Sequence, residues 1–212
     1  MSSEKTPTLM VQNAPTFPVS KGNARMMRST AGKRTLVVYE IRVRLKEIKP
    51  PIWRVLRVPA RTSLARLHKI MQLAMGWQDY HLYIFEVDGK RYSLPSTEWE
   101  IEINDSRRII LEKIFTGGRK SFLYEYDLGD SWMHEITLVR GLDEDGPIEC
   151  VAGARACPPE DCGSTPGYYE LLKALSDPYH EEHYDMLEWV GGKYDPNAFD
   201  VAAVNRALKR LR

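Results

Sequence analysis

The stretch Leu36-Val37-Val38-Tyr39-Glu40-Ile41-Arg42-Val43-Arg44-Leu45, followed by Lys49-Pro50-Pro51 and then by Ile52-Trp53-Arg54-Val55-Leu56-Arg57-Val58, decides the fold. Val37, Tyr39, Ile41, Val43 and Leu45 alternate with Val38, Glu40, Arg42, Arg44 and Lys46, the period of two that marks a strand with one apolar face. Neither Pro50 nor Pro51 has an N–H to give to a ladder, so the chain turns there and Ile52–Val58 returns as the second strand of a hairpin. Thr62 or Ser63 then offers a hydroxyl to cap a helix in which Leu64, Leu67, Met71, Ala74 and Met75 recur at helical spacing, with Gly76 placed to end it. That apolar stripe can lie across the hairpin.

Further along, the run His81–Val87, with Leu82, Ile84 and Phe85 expected inside, turns at Asp88-Gly89 into Lys90–Leu94 as a second hairpin. Ile109–Phe115 reads as a short helix or strand stopped by Gly117-Gly118. Phe122–Tyr126 and Trp132–Val139 read as two strands joined by the tight turn Asp127-Leu128-Gly129-Asp130. Cys150–Pro166 is a long loop rich in Gly and Pro, followed by helices over Tyr168–Leu175, Pro178–Trp189 and Val201–Leu211. The expected class is α+β: a β-grasp-like N-terminal half in strand-strand-helix-strand-strand order, further antiparallel strands, and a helical C-terminal end. Residues 1–35, with Pro7, Pro15 and Pro18 and no apolar periodicity, read as a disordered basic tail. Residues 36–212 read as a single domain, sheet-rich over 36–140, a Gly/Pro loop over 141–165 and helical over 166–212.

The 212 residues are 43% hydrophobic and 28% charged, which excludes wholesale disorder and fibrous repeats. No stretch reaches the apolar length of a membrane span, and the N-terminus carries Pro and charge where a signal peptide has an apolar core; a cytoplasmic protein with no membrane partner is expected. The net charge of +1 is a cancellation. Residues 1–35 carry Lys5, Lys21, Arg25, Arg28, Lys33 and Arg34 against Glu4, and residues 42–69 carry Arg42, Arg44, Lys46, Lys49, Arg54, Arg57, Arg61, Arg66 and Lys69 against Glu47. The helical end is acidic. A basic surface over 42–69 is the footprint that neutralises phosphates, so DNA or RNA is an expected partner. A solvated face paired with the acidic C-terminal part is the plainer account of the same residues.

Two other constellations carry possible chemistry. In the turn and outgoing strand Asp127–His134, Asp127 and Asp130 stand at the lip while Trp132 and His134, two apart, share a face. Carboxylates within reach of imidazole serve a general base or a metal, with His81, Glu160 and Asp161 as possible neighbours; the competing account is that a tight turn simply demands Asp and Gly. Cys157 and Cys162 are spaced C-x4-C, and Cys150, His180 and His183 could complete a zinc set, His180 and His183 sharing one helical face. With no second close Cys pair, an ordered loop at Pro158-Pro159-Glu160-Asp161 and no cofactor is the plainer expectation. An odd number of cysteines speaks against a disulfide framework.

The segments Tyr39–Leu45 with Pro50-Pro51-Ile52-Trp53-Arg54, Leu67-His68 through Met75-Gly76-Trp77 to His81-Leu82-Tyr83, Tyr124–Glu135, Ala156–Asp161, Pro166-Gly167-Tyr168 and Phe199-Asp200 resemble a bacterial and archaeal family named after the third open reading frame of a root-inducing plasmid. The resemblance covers nearly all of residues 36–212 and implies a domain of undetermined activity, met also as a passenger protein of mobile insertion elements. Some members carry a resolvase label. A serine recombinase needs a nucleophilic serine backed by an arginine cluster and a DNA-binding helical module, and no segment of this chain presents that set. Cys162 departs from the family pattern, which has an aliphatic residue there. The leading reading is a non-enzymatic module that binds nucleic acid using Arg42, Arg44, Lys46, Arg54, Arg57, Arg66 and Lys69; the alternatives are a hydrolase-like or metal-assisted enzyme using Asp127, Asp130 and His134 with His81, and a protein-interaction module presenting an exposed sheet.

Overall fold

A computed structural model describes residues 38–97 and 99–211; the tail expected over 1–35 lies outside the described residues. Strand β1 (Val38–Leu45) pairs antiparallel with β2 (Trp53–Pro59), Ile41 opposite Leu56 and Val43 opposite Arg54. Helix α1 (Leu64–Met75) begins where the Ser63 hydroxyl accepts from the Arg66 amide, and ends at Gly76, whose φ of 88° is the left-handed conformation that glycine adopts without cost. Strands β3 (Tyr83–Val87) and β4 (Lys90–Ser93) form the second hairpin, and the two-residue β5 (Asn104–Asp105) adds to β4 in parallel. After helix α2 (Leu111–Thr116) come β6 (Ser121–Tyr126), β7 (Trp132–Leu142) and β8 (Glu149–Ala154), then α3 (Ser164–Ser176), α4 (His183–Trp189) and α5 (Val201–Leu208). The fold is α+β. Its eight strands form one sheet in the order β5-β4-β3-β6-β7-β1-β2-β8, antiparallel except for β4–β5, and the β6–β7 hairpin separates the two N-terminal hairpins.

Alternation decides which face is covered. Ile41, Val43, Leu45, Leu56, Val58, Tyr83, Phe85, Phe122, Tyr124, Tyr126, Trp132 and Ile136 are buried in one cluster with Leu64, Leu67, Ile70 and Met71 of α1. Arg42, Arg44, Trp53, Val55, Leu123, Met133 and Glu135 fall on the opposite, more open face. Leu82, expected inside, is 47% exposed, because β3 enters with Tyr83, Phe85 and Val87 inward; a one-residue change of register exchanges the faces.

Two expectations over the C-terminal half need correction. The loop expected over Cys150–Pro166 contains β8, which pairs with the free edge of β2. Its composition hides it: Ala152-Gly153-Ala154 lacks the branched side chains of strands, and a Cβ at Gly153 would come within 2.4 Å of the Phe199 ring and 2.9 Å of the Trp53 carbonyl oxygen. The helix expected from Pro178 starts at His183, because the preceding segment is held in turns by Asp177, whose carboxylate accepts from the Tyr179 amide and whose carbonyl accepts from the His180 amide. No described helix is long and apolar enough to cross a membrane.

Candidate functional site

Three loops meet at the end of the sheet where β3 starts, β6 ends and β7 starts. The first, residues 76–82, carries His81; the second is the β6–β7 turn with Asp127; the third, residues 155–163 between β8 and α3, carries Glu160 and Asp161. In the turn, Asp127 takes a φ of 57° and its Oδ1 accepts from the amides of Gly129 (3.0 Å) and Asp130 (3.3 Å), leaving Oδ2 on the side of His81. His81 Nε2 lies 3.7 Å from Asp127 Oδ2 and 3.2 Å from Asp161 Oδ1. Nε2 is shielded from solvent and, among the described residues, has no hydrogen-bond partner of acceptable geometry.

Tyr126 ties the loops together. Its hydroxyl donates to Glu160 Oε1 at 2.5 Å and accepts from the backbone amides of Tyr80 (3.1 Å) and His81 (3.4 Å). Burial, and then the Glu160 carboxylate, push the Tyr126 phenol well above its ordinary pKa, so it stays a donor. The other Glu160 oxygen accepts from the Gln78 amide at 2.8 Å, Trp77 Nε1 donates to the Pro158 carbonyl at 2.9 Å, and the Gly163 amide donates to Asp130 Oδ2 at 3.1 Å. Beside this junction is a cleft of about 410 Å³ lined by Trp77, Tyr80, Glu160, Asp161, Trp189 and Tyr194 among others. Asp161 therefore belongs both to the cleft wall and to the cluster.

A buried polar network braces the first loop from below. Gln72 Nε2 donates to the Tyr124 hydroxyl at 3.1 Å, so that hydroxyl gives its own proton to His68 Nδ1 at 2.7 Å, and His68 Nε2–H then points at Asp79 Oδ1 at 2.5 Å. Asp79 completes the ring through its amide on Gln72 Oε1 at 3.1 Å and an ion pair with Lys69. Burial lowers the His68 pKa to about 4, and Tyr83 stacks on the ring at 3.7 Å. Sequence reasoning missed His68 and Asp79 as a unit. The only signal was a polar residue on the apolar stripe of α1.

The predicted catalytic set divides. His81 and Asp127 come together with Asp161; Asp130 serves as an anchor for the third loop. His134 does not join them, since β7 turns Trp132, His134 and Ile136 toward the core and His134 is fully buried between Trp77 (5.4 Å) and Tyr124 (5.3 Å). Burial lowers its pKa to about 4, and neither ring nitrogen has a hydrogen-bond partner among the described residues. The zinc candidates also stand apart. Cys157 Sγ accepts from Arg54 at 3.2 Å and burial pushes its thiol up to about 11; burial first, then Asp130, pushes Cys162 up to about 12. His183 Nδ1 lies 2.9 Å from the Ala174 carbonyl oxygen, His180 Nδ1 accepts from the Glu182 amide, and Cys150 turns to the Ala152 carbonyl. His81, Asp127 and Asp161 are the one group of potential ligands that converges among the described residues.

The residues of the expected basic surface divide as well. Arg54 points into the core, donating to the carbonyls of Trp53, Ala74, Ala154 and Arg155 under the Phe199 ring. Arg57 pairs with Glu40 and Glu149, and Arg44 with Glu135. Arg42 lies over the Trp53 ring at 4.7 Å on the open face, with Lys46 at the end of the same strand, whereas Arg66 and Lys69 stand on α1, across the sheet.

Residues 37–203 match the family described as plasmid pRiA4b ORF-3-like protein. The chain is 39% identical over 179 residues to the uncharacterized protein y4hQ of Sinorhizobium fredii, a match covering 82% of this chain and 92% of that one. It is also similar to the crystal structure of MM3350, a protein of unknown function from Methanosarcina mazei Go1, with a TM-score of 0.72 and 35% identity over 79% of this chain and 97% of the other.

Proposed function

This chain belongs to the plasmid pRiA4b ORF-3-like family, and on that footing we propose that it is a hydrolase-like enzyme whose chemistry takes place where His81, Asp127 and Asp161 meet beside the cleft. The observation that carries the reading is the convergence of an imidazole nitrogen and two carboxylates, supplied by three separate loops, at distances of 3.2 and 3.7 Å. Such a set activates a water molecule by taking its proton, while the adjoining cleft, with Trp77, Tyr80, Trp189 and Tyr194 in its wall beside Gln78 and Glu160, offers a small organic substrate aromatic rings set among polar groups. Tyr126 and Glu160 are positioning residues: they hold the backbone of His81 and the segment that carries Asp161. The test is a panel of chromogenic esters, phosphoesters and amides with the full chain and with His81→Asn. Turnover by the parent that falls at least about 100-fold in the variant supports the reading; turnover by neither overturns it.

The second reading is a binding module for DNA or RNA through the open sheet face. It is favoured by Arg42 stacked on Trp53, an aromatic and cationic pair suited to bases and phosphates. A salt series comparing the parent with a variant carrying Arg42→Glu, Arg44→Glu and Lys46→Glu checks it. Binding that weakens steeply with salt and is lost in the variant supports a nucleic-acid partner; its absence at low salt removes that partner.

A further inference from the structure

Resting on the hydrolase-like reading and sharpening it, we propose that His81, Asp127 and Asp161 hold a divalent first-row transition ion of the manganese or zinc type. The three ligand atoms lie within 4.8 Å of one another. For bonds of about 2.1 Å to a shared ion, the separations of 3.2 and 3.7 Å from His81 Nε2 correspond to angles of roughly 100° and roughly 120° at the metal. These are angles of ordinary tetrahedral and five-coordinate sites, so an ion enters with small side-chain adjustments.

The charges point the same way. Two carboxylates brought to one imidazole nitrogen repel each other unless a cation lies between them. A proton on Nε2 would be answered by a hydrogen bond to one carboxylate, yet Nε2 makes none among the described residues although Asp161 Oδ1 is 3.2 Å away. A metal ion bound to the nitrogen lone pair meets both carboxylates at once.

The three residues are also braced from behind, Asp127 at its side chain and the other two through the backbone, in the manner of supported metal ligands. The turn amides of Gly129 and Asp130 fix Asp127 through Oδ1 and leave Oδ2 for the ion. Tyr126 holds the His81 amide and the carboxylate of Glu160, the residue next to Asp161. One nitrogen with two carboxylate oxygens suits manganese or zinc. A calcium ion, which takes six to eight oxygens, is poorly matched, and with no thiolate in the set a soft ion such as Cu(I) is too. Three protein ligands, of which Asp161 also lines the adjoining cleft, leave coordination positions open for water and substrate. Bound there, the ion would supply a water of lowered pKa, the role that buried His134 cannot fill.

The experiment uses the full chain stripped with a chelator and dialysed, titrated by calorimetry with MnCl2, ZnCl2 and CaCl2 in turn, with thermal melts of every variant. One manganese or zinc ion per chain, calcium at least about tenfold weaker, and a loss of at least about 30-fold in affinity for both His81→Asn and Asp161→Asn with unchanged melts, is the result expected. Asp161 is 66% exposed, so its variant folds even where the histidine variant is disturbed. No manganese or zinc binding at 1:1, or binding that both variants retain, overturns the metal site. Hydrolysis by the chelated chain that still depends on His81 would defeat the metal and leave the enzyme reading standing; tight binding without turnover of any substrate would do the reverse.

Discussion

Beneath the sheet, His68 and His134 are enclosed by Trp77, Tyr83 and Tyr124, whereas His81, at the strand ends, faces the carboxylates of Asp127 and Asp161. The three rings lie around one strand pair, β6–β7, and differ in what surrounds them. Burial holds the first two neutral, with pKa values near 4, and makes them part of the packing. The third ring instead stands at a loop junction beside two carboxylates. On the proposed function, the same residue type is a structural element on one side of the strand ends and a chemical one on the other, two roles expected to separate under mutation.

The sharpest separation is expected from His81→Asn, which lowers turnover about 100-fold or more while leaving the thermal midpoint within a few degrees, as paired kinetics and melts will read. An activity loss that tracked a loss of folded protein would break the distinction. The next effect is acid sensitivity. His68 and His134 titrate near 6.5 when unfolded and near 4 when folded, so the fold disfavours their protonation; their contribution is complete above pH 6.5 and is lost as pH falls from 6.5 through 4. Each contributes at most about 3 kcal/mol over that window, visible in urea unfolding curves at pH 7, 5.5 and 4. His134→Leu removes its share and flattens the curve.

Smaller again is Tyr124→Phe, which removes the proton donor of His68 Nδ1 and the acceptor of Gln72 Nε2, and costs about 1–3 kcal/mol in the same unfolding assay. Least of all is Arg44→Ala. Its pair with Glu135 is solvent-exposed on the open face, so the change is expected within about 0.5 kcal/mol. A larger value would mean that something covers that face.

The N-terminal hairpin, α1 and the β6–β7 turn were readable because period-two alternation, a hydroxyl cap, a glycine stop and an Asp-Gly turn are local signals. The strand β8 was not, since Gly153 is there to admit Phe199, 46 residues later in the chain and invisible to any local pattern. The site shows the same split. Asp127 and His81 could be named from turn chemistry and residue type, and Glu160 and Asp161 as their neighbours, yet His134 looked equally available because pairing alone decides that its face of β7 is the closed one. The partnership of His68 with Asp79 and Tyr124 needs three elements to meet, and nothing in their spacing announces it.

The position of β1 has a consequence for how the chain is made. It lies between β2 and β7, so one of its edges is satisfied within a few residues while the other waits for Trp132–Leu142. A chain emerging from the ribosome therefore carries Val38–Leu45 with an open edge until roughly a hundred further residues have been added, several seconds at ordinary synthesis rates. Through that interval Arg42 and Arg44, alternating with Ile41, Val43 and Leu45, put charge on a strand that would otherwise recruit its neighbours on the same message.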